Sequence, residues 1–393
     1  MTALAIAEAW KNRDAVRLSN GVMEAVLLRG GGHIAELWLT GSAGATMNCL
    51  WAAPWPTADP CDPDFKTLAE KYGAAPVGEF LAAYTGHALC LDIFGQPSEE
   101  DAAWGIPLHG EAAARMWQTE TSERGCTARV ALSVAQLEFE RRVLLAEESA
   151  VLFVEERVRN CGSAPREIHW VQHLSLGPPF LEPGFSAIDA SLDRGRTWPL
   201  GYEGHAALRD DTDFDWPHAP TMDGAALDLR IPFARPGYGF VAAARVDEAR
   251  EFAYIAALNW RLGVALVYCF RREDFPWVAI WEENCVRTGA PWNGSAQVRG
   301  MEFGTTPMPL GRDAIRAMGN LFDTPGSRTI PPGGTLEARY LAVIASIPSG
   351  WREITDVVPG HNALTITGPR NSQPVTVAAE GIYDFLHEGR RER

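Results

Sequence analysis

Two histidines and one late glutamate are the residues of this sequence whose types and surroundings best suit acid–base chemistry. His109 lies between Pro107 and Gly110, where the proline restricts the backbone and the glycine lets a ligand approach closely. His173 is followed by Leu-Ser-Leu-Gly-Pro, and Glu302 lies in a Gly-Met-Glu-Phe-Gly stretch. An imidazole and a carboxylate can exchange protons with the hydroxyl groups of a neutral sugar. We therefore predict that His109, His173 and Glu302 carry the chemistry.

The neighbours of Glu302 are small or apolar, which leaves two interpretations of its carboxylate open. If the side chain is partly buried, its pKa rises toward the range that is useful for a general base. Alternatively, the carboxylate forms an ion pair with Arg299 or with Arg287, both of which are close in the sequence. Residue chemistry alone does not favour one interpretation over the other.

Aromatic and hydrogen-bonding residues close to these motifs indicate a carbohydrate cleft. The chain has 14 tryptophans, whose large apolar faces can stack on the C–H faces of a sugar. Trp281 comes directly before Glu282, Glu283 and Asn284, whose donors and acceptors suit sugar hydroxyls. Strand alternation puts Glu282 and Glu283 on opposite faces, so that only one of them can point into the cleft. The predicted substrate-binding residues are Glu111, Trp117, Trp281, Glu283, Arg287 and Trp292.

His169 and His173 have the i, i+4 spacing of a helical metal site, but the surrounding residues favour a strand. Pro165 precedes the pair and a Gly-Pro dipeptide at 177–178 follows it, and both disfavour a helix. On a strand, side chains four residues apart share a face but lie roughly 13 Å from each other. We therefore predict no metal and no cofactor, while a site that combines one of these histidines with His109 and a carboxylate stays open.

Charge and composition narrow the class of partner. The 35 basic and 50 acidic residues give a net charge of −15, and lysines and arginines do not cluster outside the last few residues. Nucleic acids and polyanionic sugars need a basic face, so we expect a neutral mono- or disaccharide as the partner and no nucleic acid. Seven cysteines without a CxxC pair indicate reduced thiols. Without a signal-peptide pattern or an apolar run of about 18 residues, we expect a cytoplasmic protein and no membrane contact.

Period-two alternation predicts strands along most of the chain. Asn20-Gly21, between residues 16–18 and 22–28, predicts a hairpin with a type I′ turn. Residues 126–160 predict an antiparallel meander with one buried face, on which Arg141 is the one polar interruption. Later strand patterns lie at 252–260, 263–270, 277–281 and 336–347.

Helical patterns are few and short, and they lie at 64–72, 77–84 and 312–321. None of them alternates with strands as a βαβ fold requires. The sequence therefore predicts an all-β protein, a large antiparallel β-sandwich with a few short helices. We expect one domain over residues 1–393, with a core at about 14–347 and appended C-terminal strands and a tail at 348–393.

Together these features resemble the galactose mutarotase-like superfamily, which comprises the aldose 1-epimerases and their relatives. The N-terminal hairpin, its Gly-rich turn and the Leu-His-Gly motif at 108–110 follow one another in the order of that family. The stretch at 160–173 and the late Glu302 also match this order. A closing Pro-Gly-Gly-Thr turn precedes the last long strand, and the resemblance spans residues 14–347.

The resemblance implies a β-supersandwich whose concave face binds a monosaccharide. In the family, a glutamate takes the proton of the anomeric hydroxyl while a histidine protonates the ring oxygen, so that the ring opens and recloses with either configuration. Carried over to this sequence, Glu302 is the base, His173 is the acid, and His109 contacts the ring oxygen or a hydroxyl. The resemblance implies no cofactor.

Two features depart from the family pattern. The epimerases have Tyr-Phe-Asn after the second histidine, whereas this chain has Leu174-Ser175-Leu176, and residues 51–104 have no epimerase counterpart. Three functions therefore stay open. They are an aldose 1-epimerase-type isomerase that interconverts the anomers of a neutral sugar, a metal-assisted lyase or isomerase that acts on an oxidised sugar in the same cleft, and a non-catalytic carbohydrate-binding protein.

Overall fold

Two large antiparallel β-sheets form most of the computed structural model of this chain. The structure describes residues 4–40, 47–202, 205–234 and 236–388, and the end of the predicted tail at 389–393 lies outside them. Among the described residues, twelve strands form the first sheet and eight form the second. The prediction of an all-β antiparallel protein with a few short helices is confirmed.

The elements are numbered along the chain. The strands are β1 (Leu4–Trp10), β2 (Arg13–Ser19), β3 (Met23–Leu28), β4 (Ile34–Leu39), β5 (His87–Asp92), β6 (Gln118–Thr121), β7 (Gly125–Leu132), β8 (Leu137–Leu145), β9 (Val151–Asn160), β10 (Arg166–Leu176), β11 (Ser186–Ala190), β12 (Leu192–Thr197), β13 (Asp213–Asp215), β14 (His218–Pro220), β15 (Ala226–Asp228), β16 (Tyr238–Val246), β17 (Phe252–Asn259), β18 (Val264–Arg271), β19 (Trp277–Asn284), β20 (Gln297–Gly304), β21 (Arg328–Ile330), β22 (Thr335–Ser346), β23 (Asp356–Pro359), β24 (Ala363–Thr367) and β25 (Val375–Ala378). The helices are α1 (Phe65–Tyr72), α2 (Val77–Ala83), α3 (Glu99–Ala103), α4 (Arg312–Met318) and α5 (Ile382–His387), with short 3₁₀ turns η1 (Ala112–Ala114) and η2 (Leu321–Asp323).

The strand order puts β10 in the middle of the first sheet. This sheet runs β1-β2-β3-β4-β5-β10-β20-β19-β16-β12-β13, with β21 paired to β10 beside it. The second sheet runs β11-β17-β18-β22-β9-β8-β7-β6. The facing sides of the two sheets enclose one large apolar core. Ile168, Trp170 and Leu174 of β10 belong to this core.

The predicted hairpin and meander are both present. β2 pairs with β3, and β7, β8 and β9 pair in succession. The turn of the first hairpin differs from the prediction. Residues 20–22 connect the two strands, and Gly21 has a positive φ of 80° whereas Asn20 does not. The Asn20 side chain accepts hydrogen bonds from the N–H groups of Val22 and Met23. An Asx turn therefore replaces the type I′ turn.

Arg141, the polar interruption on the buried face of the meander, belongs to a polar network between the two sheets. Its Nε atom lies 2.7 Å from Oε1 of Glu156, and both side chains are fully buried. Another of its nitrogens donates to Gln172 of β10, and Tyr340 of β22 donates to Glu156. Because neighbouring residues of a strand point to opposite faces, this network lies directly behind His173.

Short helices cover one end of the first sheet. The predicted helices at 64–72, 77–84 and 312–321 correspond to α1, α2 and α4, whereas α3 and α5 were not predicted. α1 and α2 pack against each other through apolar side chains, with Phe65 and Ala69 of α1 against Ala82 and Ala83 of α2. α2 is followed directly by Tyr84, whose ring packs against Phe80 and Trp51. Residues 51–104 thus bring aromatic side chains toward β5 and β10.

The C-terminal segment forms a third layer on the outer face of the second sheet. β23, β24 and β25 form a small sheet, which α5 follows. Trp351, Val357 and Ile382 from this layer pack against outward-facing residues of β17, β18 and β22. The layer occupies the segment predicted as appended strands, and the assignment of the chain to one domain remains a prediction. None of the helices that the structure describes is long and apolar enough to cross a membrane.

Candidate active site

His173 and Glu302 face each other on adjacent strands at the floor of a cleft. β10 pairs antiparallel with β20 in a register that sets Gln172 opposite Phe303, so that residue 173 falls opposite residue 302. Nε2 of His173 lies 3.3 Å from Oε1 of Glu302, and neither side chain is more than 5% exposed. Gly300 leaves the space that Glu302 needs, because a Cβ atom at position 300 would lie 2.2 Å from Oε1 of Glu302.

Burial controls the protonation of this pair. It raises the pKa of Glu302 well above its ordinary value and lowers the pKa of His173 to about 3, because each charged form loses its hydration. Burial therefore favours a carboxylic acid beside a neutral imidazole over the charged pair. This form and the carboxylate–imidazolium form hold the same number of protons, and a proton shift across the 3.3 Å contact interconverts them.

The two arginines that were alternative partners of Glu302 pair with other glutamates. Nε of Arg299 donates to Glu282 over 2.9 Å. Nε of Arg287 lies 3.6 Å from a carboxylate oxygen of Glu283. Glu302 therefore has the buried environment of the first interpretation, next to a histidine.

His109 has a left-handed backbone conformation, with φ of 61°, which is uncommon for a residue with a Cβ atom. The carbonyl of Gly95 accepts from its N–H over 3.0 Å, and the N–H of Gly95 donates to its Nδ1 over 3.2 Å. Since Nδ1 accepts, the neutral ring carries its proton on Nε2. The ring packs against Phe80 and Phe94 and lies 5.5 Å from that of His173. Burial lowers the pKa of His109 well below its ordinary value, so His109 can act as a neutral hydrogen-bond donor.

A cleft of about 720 Å³ opens above these residues. Six residues predicted from the sequence line it: His109, His173, Trp281, Arg287, Trp292 and Glu302. The guanidinium carbon of Arg287 lies 5.6 Å from the ring centroid of Trp281 and 5.1 Å from that of Trp292. The cleft therefore offers aromatic surfaces for stacking and a few convergent polar groups for hydrogen bonds, as small-molecule sites commonly do.

Several residues that line the cleft were not predicted, among them Phe80, Tyr84, Gln96, Trp198 and Tyr202. Phe80 and Tyr84 are four residues apart in the predicted helix at 77–84, and this spacing puts both on one face. That spacing is the signal in the sequence that could have identified them. Trp198 and Tyr202 lie in the loop after β12, where no periodic pattern marks them.

Glu283 lies behind the wall of the cleft rather than on its surface. It accepts hydrogen bonds from the hydroxyl of Tyr202 over 2.9 Å and from the N–H groups of Val286 and Arg287 over 2.6 and 3.0 Å. Nε1 of Trp281 donates to the same hydroxyl over 2.9 Å. The structure thus corrects the prediction that Glu283 contacts substrate, because its carboxylate holds three residues of the wall in place.

Glu111 and Trp117, the remaining predicted binding residues, lie outside the cleft. The chain turns at η1, directly after the His109 loop, and enters the core. Glu111 accepts from the N–H groups of Val134 and Ala135 over 3.0 and 2.9 Å. Trp117 is 1% exposed, and its Nε1 donates to the carbonyl of residue 112. Their placement corrects the prediction that they bind substrate, because both are tied to the core.

The paired histidines of β10 lie on one strand, as the sequence predicts. Nδ1 of His169 accepts from the N–H of Phe94 over 3.2 Å, whereas His173 faces Glu302. Within the ranges that the structure describes, no group of three or more histidine, cysteine, aspartate or glutamate side chains could hold a metal ion.

Comparison with known proteins identifies the fold. No protein-family model and no curated protein matches the sequence. A "putative aldose 1-epimerase" from Klebsiella pneumoniae has a TM-score of 0.62 at 14% identity, over 87% of this chain and 82% of that chain. A galactose mutarotase-like protein from Clostridium acetobutylicum has a TM-score of 0.56 at 14% identity, over 88% and 99% of the two chains. A "putative aldose 1-epimerase" from Escherichia coli K12 has a TM-score of 0.53 at 14% identity, with the same coverage of 88% and 99%.

These similarities confirm, at the level of the fold, the resemblance found in the sequence. The chain has the fold of the galactose mutarotase-like proteins, and the matched region covers most of both chains in each case. At 14% identity the similarity concerns the fold alone, since one fold hosts many functions. Any reaction must therefore be argued from the site.

Proposed function

We propose that this chain, which has the fold of the galactose mutarotase-like proteins, is an isomerase of aldose 1-epimerase type that interconverts the anomers of a neutral sugar. The observation that carries the proposal is the 3.3 Å contact between Nε2 of His173 and Oε1 of Glu302 in a cleft with aromatic walls. The words aldose 1-epimerase in the names of two similar solved structures support the same reaction.

Ring opening of an aldose requires an acid and a base that are close together. The anomeric hydroxyl and the ring oxygen are bonded to the same carbon, C1, so the groups that serve them must also be neighbours. In the proposed reaction the Glu302 carboxylate takes the proton of the anomeric hydroxyl, and Nε2 of His173 protonates the ring oxygen. The bond between C1 and the ring oxygen breaks and the aldehyde forms. After rotation about the C1–C2 bond, both proton transfers reverse and the ring closes.

The two protonation forms of the His173–Glu302 pair account for both protons that move in this step. Ring opening starts from the carboxylate of Glu302 and the imidazolium of His173, and it leaves the carboxylic acid and the neutral imidazole. Because burial favours the second form, the reaction begins with a proton shift from Glu302 to His173 across their contact. When the ring recloses, the proton that His173 gave to the ring oxygen returns to His173.

The walls of the cleft suit a neutral mono- or disaccharide. Trp281 and Trp292 provide faces for stacking, while His109 and Arg287 provide donors for sugar oxygens. Pockets of about 300–1,000 Å³ enclose small-molecule ligands, and the volume of about 720 Å³ lies within this range. His109 is close enough to His173 to donate to the ring oxygen or to a neighbouring hydroxyl.

We also propose a cytoplasmic location. All seven cysteines are free thiols, and four of them are buried. The cytoplasm is a reducing compartment in which such thiols persist.

The test is anomer exchange of a panel of neutral aldoses, followed by NMR with the wild-type protein and with Glu302→Gln. Glutamine keeps the shape of the side chain but cannot take the proton, so we expect the acceleration to fall by a factor of at least about 100. Glu120→Gln, on the edge strand β6 at a side chain that is 75% exposed, is the matched control and should match the wild type.

The outcomes separate the two functions that fit the cleft. Acceleration by the wild type and by Glu120→Gln, lost in Glu302→Gln, supports the isomerase. If sugars bind to all three proteins and none accelerates exchange, the chain is a carbohydrate-binding protein and the proposal is wrong. Equal acceleration by all three proteins would show that Glu302 is not the base.

A further inference from the structure

The second ring nitrogen of His173 contacts two hydroxyl groups on the side away from Glu302. Nδ1 lies 3.2 Å from the hydroxyl of Tyr84 and 3.2 Å from Oγ of Ser175. These two hydroxyls are also in close contact with each other. Tyr84, His173 and Ser175 are 1%, 4% and 0% exposed, so the three groups must satisfy one another's hydrogen bonds within the protein.

Different parts of the chain supply the two hydroxyls. Ser175 is two residues beyond His173 on β10, and side chains at this spacing share one face of a strand. Tyr84 follows α2, in the segment without an epimerase counterpart, and its N–H bonds the carbonyl of Phe80. The ring of Tyr84 stacks on that of Phe80 at 4.8 Å and packs on that of Trp51 at 5.3 Å. The position of the Tyr84 hydroxyl is therefore determined by a packed aromatic cluster.

A hydroxyl is suited to this position because its oxygen can accept a hydrogen bond from Nδ1–H while its own proton is donated to another buried group. Nδ1 accepts when the neutral ring carries its proton on Nε2, and it donates when the ring is charged or has the other tautomer. Burial raises the pKa of Tyr84 well above its ordinary value, so this group remains a hydroxyl. Because Nε2 takes the proton of Glu302, the neutral ring that can accept this proton carries its own proton on Nδ1. The hydroxyls therefore accept a hydrogen bond from Nδ1–H in both the neutral and the charged ring.

Further ionisable groups around His173 come from several elements. Glu302 on β20 contacts Nε2, and His109 lies 5.5 Å away in the loop before η1. The buried side chains of His33 and His87 lie behind β10, and burial, together with nearby charges that include His173, lowers their pKa values. Only the two hydroxyls contact Nδ1 among the side-chain pairs that the structure describes.

We propose that Tyr84 and Ser175 form a hydroxyl pair that accepts a hydrogen bond from Nδ1–H of His173 and so keeps Nε2 free to exchange a proton with Glu302. Both are positioning residues, because they act through His173 rather than on the sugar. The kinetic consequence rests on the proposed function, whereas the effect on the histidine ring does not. Tyr84→Phe keeps the aromatic packing and removes one hydroxyl, and Ser175→Ala removes the other.

The first experiment measures the ring of His173 without any substrate. In neutral imidazole the protonated and unprotonated nitrogens have well separated ¹⁵N shifts, so NMR of histidine-labelled protein reports the tautomer. His173→Gln identifies the signals of His173. We expect Tyr84→Phe with Ser175→Ala to change the tautomer ratio of His173 and the pH at which it titrates, with smaller changes in each single variant. Tyr254→Phe, a buried tyrosine in the second sheet, should give the wild-type spectrum.

The second experiment measures anomer exchange with the same variants. A neutral hydrogen bond to the acid should matter mainly for the chemical step, so we expect kcat of Tyr84→Phe to fall about three- to tenfold. KM should stay within about twofold of the wild-type value, and the pH profile of kcat should shift. A purely structural role would change the melting temperature and leave the pH profile as it is.

The two experiments distinguish failure of this inference from failure of the proposed function. If wild-type protein does not accelerate exchange but the NMR changes occur, the hydroxyl pair stands and the proposed function is wrong. If the double variant has the wild-type tautomer ratio and titration, the hydroxyl pair does not control His173 and the inference is overturned. An active double variant with an unchanged pH profile would also overturn it.

Discussion

We predict that Arg141→Met lowers the free energy of unfolding by about 3 kcal/mol, the lower end of the cost of breaking a buried ion pair. Arg141 and Glu156 are both 0% exposed and lie 2.7 Å apart between the two sheets. Methionine fills much of the arginine volume but leaves the Glu156 carboxylate without its counter-charge. Glu156 would retain neutral hydrogen bonds from Tyr340 at 2.9 Å and Trp170 at 3.1 Å. These remaining donors are the reason for the lower end of the range.

A second substitution tests whether the unpaired charge of Glu156 causes the loss of stability. Arg141→Met combined with Glu156→Gln removes both charges. With its oxygen at the Oε2 position the glutamine accepts from Trp170 and Gln172, and its amide NH₂ can donate to the hydroxyl of Tyr340. We therefore expect the double variant to be more stable than Arg141→Met alone by at least about 1 kcal/mol. Loss of the bond from Arg141 to the carbonyl of Gly32 is common to both variants and cancels in this comparison.

The assay is urea unfolding followed by tryptophan fluorescence and by circular dichroism. Arg129→Met is the matched control, because Arg129 pairs with Glu120 and Glu140 on the surface and its side chain is 46% exposed. Surface pairs contribute about 0–1 kcal/mol, so this variant should unfold almost as the wild type does. A loss below about 1 kcal/mol in Arg141→Met, or a double variant that is less stable than the single one, would refute the reasoning.

Two further predictions concern the candidate site and its supports. Gly300→Ala should reduce kcat by about 100-fold with little change in melting temperature, because the new Cβ would lie 2.2 Å from Oε1 of Glu302 and displace that carboxylate; wild-type kcat in this variant would contradict the placement of Glu302. Burial lowers the pKa of His169 to about 3 in the folded protein, against about 6.5 in an unfolded chain. Between these values only the unfolded state binds the extra proton, so stability present above pH 6.5 is lost as the pH falls, by up to about 1.4 kcal/mol per pH unit for this residue. Other buried histidines contribute to the slope as well, so His169→Asn should make it shallower by this amount in urea unfolding between pH 6 and pH 4, and identical slopes in both proteins would disprove the assignment.

Much of the fold could be predicted because several strands have a period-two pattern, of which β8 is the clearest. β8 alternates along its whole length, and the second half of β9 and most of β7 do the same. Arg141 interrupts the pattern because it pairs with Glu156, its neighbour across the ladder. This strand pairing cannot be read from the sequence. The turn at Asn20 differs for a similar reason, since its side chain also bonds the carbonyl groups of residues 146 and 149 in a distant loop.

The candidate site could be predicted in part, because local motifs identify reactive residues but give no distances. His109 was found from its own neighbours, and its left-handed conformation then turns the next residues away. Glu111 and Trp117 therefore lie in the core although they are close to His109 in the sequence. Tyr84 was missed for the opposite reason, since it is far from His173 in the sequence and reaches it only through the packing of α2.

The acid and the base of the candidate site are spaced by the hydrogen-bonded ladder between β10 and β20, not by any loop. A shift of one residue in this ladder would turn one of the two side chains to the opposite face, so the spacing tolerates no insertion there. The rim of the cleft comes instead from α2 and from the loops after β12 and β19. The ladder between β10 and β20 and the rim of the cleft can therefore be engineered separately. Exchanging the rim loops should alter which molecule the cleft binds, while His173 and Glu302 keep their geometry.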